Sequence, residues 1–418
     1  VIAKEGYYLR GKKKGKKMKL HNYQQRAIDF CCGRQNVILS IGMGLGKTAA
    51  VLHYIDKVRP ASVLIVAPKR VAEHVWRQAA EKWGLDDVAE RLAIVAGTKA
   101  RRKQIIQNND YLIIGRDNLS DVEGMSFDLL VMDELTSYKN PMSNRTDFIC
   151  SIKAKQRIGM TGTFLTNGAM DCFGQFVAVG IGGVMTKKER TSAFYRWRAA
   201  HFQDLLAGSG LQFHKWKLVT PLEQLIARAK PNIFTLDSKD WLDIPAVEYI
   251  EHEVELSGAE MAEYVKLNTM LNCTLDDEIV SFSENQKFAK LQTLCDGFVY
   301  IDDSVVRSEH STKLDEVCDF VDRAVSEGEQ VLLFYAFREE KKWLEEKLKK
   351  LHITFTDVKD KRFMEKWNGG EVNVLLAHPA AASHGINLQY GGRICVWSTI
   401  QFDYEHWTQA NARLARQG

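Results

Sequence analysis

Ser40-Ile-Gly-Met-Gly-Leu-Gly-Lys-Thr48 decides how the rest of this 418-residue chain is read. Apolar runs flank it, Val37-Ile-Leu39 before and Ala49-Ala-Val-Leu52 after, a pattern that predicts a strand, a glycine-rich turn and a helix start. Backbone N–H groups of such a turn point at phosphate oxygens, and a helix N-terminus favours negative charge. Met43, Gly44, Leu45 and Gly46 then form the cradle. Lys47 reaches the β/γ-phosphates of a nucleotide and the Thr48 hydroxyl sits on Mg²⁺. The strict G-x-x-x-x-G-K-[ST] pattern fails at its first glycine, where Ile41 stands. By itself the stretch also fits an ordinary strand–turn–helix corner, so the rest of the chain has to decide.

A second chemical site follows downstream. Phe127-Asp-Leu-Leu-Val-Met-Asp133-Glu134 is an apolar strand ending in two acids. At the carboxyl edge of a parallel sheet the first acid can hold Mg²⁺ and the second can polarise an attacking water. A solvated strand end is the bland alternative, and the glycine-rich turn upstream argues against it. Gln156-Arg-Ile-Gly-Met-Thr161-Gly-Thr163 is another strand with a small polar end, placed to sense a nucleotide. Before the turn, Tyr23 and Gln24 open a helix read from Ala27, Ile28 and Phe30. A Gln amide presents a donor and an acceptor to an adenine edge.

Alternating strands and helices fill the first part of the chain. Ser62–Ala67, Leu92–Val95 and Tyr111–Ile114 read as strands, and Val71–Trp83 as one helix. Residues 187–300 differ: helical patterns dominate over 258–270 and 284–294, and aromatics interleave with bases in Phe194-Tyr-Arg-Trp-Arg198 and Phe213-His-Lys-Trp-Lys217. Such interleaving serves base stacking or, more often, a packed helix face with snorkelling cations. A second α/β pattern starts near Lys313, with strands over 331–335, 372–377 and 393–397. The segment 405–416 reads as a final helix that puts Arg413 and Arg416 on one face.

Composition is that of a globular protein, 45% hydrophobic and 26% charged, with no apolar run long enough to span a bilayer. Eight scattered cysteines without a C-x-x-C pair suit a reducing compartment, and no signal peptide is visible, so the expected location is the cytoplasm. Residues 10–19 carry +7 against a net charge of +4, so the remainder is slightly acidic. That run is either a solvated tail or a contact to phosphates that ignores sequence.

Taken in order, these stretches resemble the superfamily-two helicase-like ATPases, most closely the Swi/Snf-type DNA translocases. The likeness covers about Leu20 to Gly418. Tyr23-Gln24 is similar to the Q-motif, Gly44–Thr48 to motif I, and Val63–Lys69 with Trp76 to motif Ia. Asp133-Glu134 resembles the start of motif II, with Thr136 where the family usually has His, and Thr161-Gly162-Thr163 resembles motif III. Ser238–Pro245 is similar to the family's inter-lobe stretch, Lys313-Leu314 with 330–334 to the opening of the second lobe. His384–Leu388 resembles motif V and Gln409–Gly418 motif VI. The chain stops inside that last motif, so the expectation is of a natural protein that runs on past Gly418; compact length, short loops and lack of accessory domains look like a phage or bacterial member.

The resemblance implies an α/β fold of two RecA-like parallel-sheet lobes with ATP in the cleft between them. It divides the chain into a basic segment (1–19), a first lobe (20–186), a largely helical inter-lobe region (187–305) and a second lobe (306–418). Lys47, Asp133, Glu134, Arg413 and Arg416 become the catalytic set, the last two as arginine fingers. Gln24, Met43, Gly44, Leu45, Gly46, Lys47, Thr48 and Gly385 become the ATP contacts, and Thr48 with Asp133 the Mg²⁺ ligands. Thr161, Gly162 and Thr163 couple the nucleotide to the lobes, and Lys69, Arg70, Arg116 and Asn387 touch DNA. ATP and Mg²⁺ are the implied small molecules, and double-stranded DNA the implied track of a monomeric motor. A strand-separating or branched-DNA helicase and an inactive DNA-binding module are the alternatives.

Overall fold

The computed structural model describes residues 19–418 apart from 163, 166–167, 208–213, 238–240, 242–246, 271, 276–277, 282–285, 302–303, 383–387, 402 and 415–418. The basic run over 10–19 therefore lies almost wholly outside the described residues.

Helix α1 (Asn22–Cys31) leads into strand β1 (Asn36–Ile41), the glycine-rich turn and helix α2 (Lys47–Val58). Strand β2 (Val63–Ala67) follows, then helices α3 (Lys69–His74) and α4 (Trp76–Lys82). Where one helix was expected over 71–83 there are two, broken at Val75, whose φ of −103° lies outside a regular helix. Trp76, just after the break, is fully buried. Strands β3 (Leu92–Val95), β4 (Tyr111–Gly115), β5 (Ser126–Asp133) and β6 (Lys153–Thr161) complete the expected α/β series.

All these strands are parallel, in the order β3-β4-β2-β5-β6-β1 with one further strand beyond β1. Both faces are covered, so β2 and β4 are buried along their whole length, as parallel strands require. One face packs on α1, α2 and α4, the other on helices α5 (Cys172–Val179) and α6 (Lys187–His201). Sheet order sets β5, β6 and β1 side by side. Asp133 pairs in register with Met160, and Ser40 with Thr161. The two acid-bearing and phosphate-binding edges are thereby brought together at the carboxyl end of one sheet.

The outer strand is β7 (Ile233–Leu236), which lies in the region expected to be inter-lobe. Its β-branched and aromatic residues pair parallel with β1 from Ile38 to Ile41 and cover what would otherwise be an open edge. The described part of 187–305 also contains three two-stranded hairpins beside helices α7 (Gly258–Met270) and α8 (Lys287–Cys295), so it is less uniformly helical than its sequence suggests. Within it, Phe194 packs on Phe173 and Trp197, and Arg198 lies over Trp216 at 4.1 Å. The packing reading of that aromatic-basic stretch holds.

The second lobe contains α9 (Thr312–Ser326), β8 (Val331–Phe334), α10 (Arg338–Lys350), β9 (Phe355–Asp357), β10 (Val374–Ala377), β11 (Ile394–Trp397) and α11 (Tyr404–Asn411). Its strands form a parallel sheet in the order β9-β10-β8-β11. The last helix ends earlier than its sequence pattern predicts. The Ala412 N–H reaches Thr408 and Ala410, tightening the final turn, and Arg413 sits in that turn and not on the helix. Arg416, expected on one face with Arg413, lies outside the described residues.

Candidate active site between the lobes

The glycine-rich turn takes its shape from left-handed backbone at Gly44 (φ 80°) and Gly46 (φ 73°). Gly46 is also the residue capping α2, and a Cβ there would meet the Gln24 amide nitrogen at 2.3 Å. Only glycine fits both demands. Gln24 itself is buried and engaged at both ends. Its Nε2 donates to the Leu45 carbonyl (3.3 Å) and its Oε1 accepts from the His21 N–H (2.9 Å). The amide expected to face adenine thus clamps the turn to α1.

Lys47 folds back over the turn, donating to the carbonyls of Ile41 (2.8 Å) and Gly42 (3.3 Å). Gly162, at the end of β6, packs on Met43, and a Cβ on it would lie 3.8 Å from Lys47 Nζ. Thr48 occupies the first turn of α2. At the end of β5, Asp133 Oδ2 accepts from the indole N–H of Trp76 (2.9 Å). Burial pushes the Asp133 carboxyl up, while the Trp76 N–H, Lys47 and Arg116 pull the other way.

Glu134 stands out by its backbone. Its φ of 68° is left-handed, and the other non-glycine residues described with positive φ, Arg59 and His352, lie just past helix ends. A left-handed residue at a strand end points the carboxylate out of the ladder, at an energetic cost that recurs at functional sites. Its Oε1 accepts from Thr136 Oγ1 (3.1 Å) and Thr161 Oγ1 (3.3 Å). Its Oε2 accepts from Gln409 Nε2 (3.3 Å), which comes from α11 of the second lobe. Motif II thus meets motif III through the Thr161 hydroxyl on Glu134, while Thr136, where the family usually has His, steadies the same oxygen from within motif II.

Arg413 is buried just past α11. Thr163, Gly385, Asn387 and Arg416 lie outside the described residues. Of the expected DNA contacts, Lys69 is exposed at the start of α3 and Arg116 donates to Ser137 Oγ (2.5 Å). Arg70 instead donates to the Val358 carbonyl of the second lobe (3.0 Å). Trp76 and Gln409 stand in the quoted motifs but not among the expected site residues. A buried Trp reads as core until its N–H is seen to meet an acid, and no spacing rule reports that.

The SNF2-related domain profile matches residues 23–299, about two thirds of the chain. The chain belongs to the SNF2-related family. It is 28% identical over 413 residues to protein p41 of Acyrthosiphon pisum secondary endosymbiont phage 1, covering 94% of this chain and 87% of p41. A shorter likeness, 26% over 204 residues, links it to the ATP-dependent helicase FUN30 of Saccharomyces cerevisiae, covering 44% of this chain and 18% of FUN30. Among solved structures it resembles the Sulfolobus solfataricus SWI2/SNF2 ATPase core in complex with dsDNA, at 20% identity and a TM-score of 0.44, covering 91% of this chain and 82% of that one. As a Swi/Snf-type chain it keeps the two parallel-sheet lobes described above. Among the described residues no helix is long and apolar enough to cross a membrane.

Proposed function

We propose that this SNF2-family chain is a DNA-dependent ATPase that translocates on double-stranded DNA. The Glu134 carboxylate carries the reading. One of its oxygens is held by hydroxyls of the first lobe and the other by Gln409 of the second. A group that orients the attacking water and also touches both lobes ties the chemistry to their relative position.

ATP lies in the cleft with its phosphates on the turn 43–48. Lys47 moves from the Ile41 and Gly42 carbonyls to the β/γ-phosphates. Thr48 and Asp133 fit Mg²⁺ in kind: one hydroxyl and one carboxylate, the latter fixed by Trp76, with substrate phosphates completing the oxygen shell. The ion, when bound, neutralises charge developing on the phosphates. Glu134 accepts the proton of the attacking water. Arg413, and Arg416 beyond it, stabilise the transition state from the second lobe, a contribution on the order of 10³–10⁵ in turnover. Lys69 and Arg116, at the carboxyl ends of β2 and β4, offer cations to a phosphate backbone, a contact that does not read sequence. The likeness to FUN30, an ATP-dependent helicase by name, supports the ATPase part.

Displacement of a triplex-forming strand tests translocation. ATP-dependent release of the third strand with the duplex left intact is expected. Separation of the duplex itself would favour a helicase, and no release in a preparation that hydrolyses ATP would remove the translocase.

A further inference from the structure

We propose that the second lobe, together with Tyr249 of the inter-lobe region, holds a stacking site for an unpaired DNA base, formed by Tyr404, Trp407 and Tyr249, with the adjoining backbone phosphate seated in the cleft between the lobes. The proposal rests on the reading above only for the identity of the polymer.

Trp407 stacks with both tyrosines. Tyr404 lies 5.9 Å from Trp407 at an interplanar angle of 23°, and Tyr249 lies 5.3 Å from it at 24°. Trp407 is the middle ring. Tyr404 and Tyr249 remain 57% and 61% exposed. Phe173 and Phe194, in ring contact at 5.4 Å, are by contrast both buried. A stack with open outer rings offers π surface to any base without selecting among them.

A cationic cleft adjoins it. Asp403 and His406, the chain neighbours of Tyr404 and Trp407, line a cleft of about 480 Å³ together with Arg116, Lys139 and Arg145 of the first lobe. Among the lining residues Arg116, Lys139 and Arg145 outnumber the one carboxylate, Asp403. Asp117 pairs with Arg145 at 3.2 Å and Asp403 with His406 at 3.2 Å. Burial and the like charge of Arg145 both push the Arg116 guanidinium down, a strain that a phosphate oxyanion relieves. Base-stacking rings beside a cationic cleft are the two chemistries by which single strands are held.

The test compares binding of fluorescent oligo(dT) and of an abasic strand of equal length to the full chain, wild type and variants. Stacking of one base corresponds to about a 5- to 150-fold change in affinity. Wild type is expected to hold oligo(dT) more tightly than the abasic strand by that factor. Tyr404→Ala and Tyr249→Ala should each remove most of the preference, and Tyr404→Phe should keep it. Equal binding of both strands by wild type, or an undiminished preference in both alanine variants, would overturn the site. Should an alanine variant fail to fold, Tyr404→Leu and Tyr249→Leu, which keep apolar bulk but remove the ring face, take its place with the same expected loss of preference. Duplex-stimulated ATP turnover of wild type is read alongside. Its absence would remove the functional proposal, while the oligo(dT) arms still judge the stack.

Discussion

Glu134 pays for its position in backbone strain, and that strain is measurable. Glu134→Ala and Glu134→Gly both delete the carboxylate, so they differ in how well residue 134 tolerates a φ of 68°. The glycine variant should be the more stable by about 1 kcal/mol in urea titrations, with both devoid of ATP turnover. Equal stability of the two would mean that the left-handed turn is not kept in solution. Trp76→Phe keeps an aromatic plug but loses the N–H that meets Asp133. The Mg²⁺ concentration for half-maximal turnover should rise, with Mg²⁺-free ADP binding unchanged; a matching loss of both would instead mark a packing role. Lys47, Thr48, Asp133 and Glu134 were legible in sequence because their chemistry is tied to fixed spacing around a glycine turn and a strand end. Trp76 and Gln409 were not, because their importance comes from which atom they meet across the fold.

Elements were legible wherever period and burial agree. The parallel strands of both sheets read as apolar runs because both faces are covered. Edge strand β7 escaped, since four residues among helical patterns carry little signal until β1 is there to pair with them. The break at Val75 and the early end of α11 escaped as well, because an apolar pattern marks where a helix lies better than where it ends. Close approach is equally silent in sequence. A Cβ on Gly174 of α5 would stand 2.3 Å from the Tyr138 carbonyl and 2.4 Å from that of Lys139. Gly174→Ala should cost about 1–3 kcal/mol in urea and disturb the chain just past motif II. Just ahead of the second lobe, buried Asp296 meets Lys313 Nζ at 2.6 Å and Thr399 at 3.2 Å. Burial, with the nearby Glu340 charge, pushes its carboxyl up to about 7. The folded chain therefore holds a proton there that the unfolded chain has lost above its ordinary value of 3.8, so this group's stabilisation fades as pH rises through about 4 to 7. Urea midpoints at pH 5 and pH 8 should fall less in Asp296→Asn than in wild type; an equal fall would exclude the group as the source.

At the scale of the whole molecule, two hydrogen bonds described above join the lobes: Gln409 to Glu134 and Arg70 to the Val358 carbonyl. The first lies at the proposed reacting centre and the second away from it. Gln409→Ala should lower kcat on duplex DNA by about 10-fold or more with nucleotide affinity little changed, because it removes a contact that matters when the cleft closes. A pure rise in KM would contradict that role. The two-lobe plan was visible in sequence through the order of its motifs, whereas the relation of the lobes was not, since it depends on residues some 275 positions apart. The most direct test is steady-state ATP hydrolysis by the wild-type chain and Lys47→Ala, each with no nucleic acid and with single-stranded, duplex and forked DNA. Turnover that rises on duplex DNA and is lost in Lys47→Ala is the expected result. No turnover on any DNA, or near-normal turnover in Lys47→Ala, would contradict a DNA-dependent ATPase centred on the turn from Ser40 to Thr48.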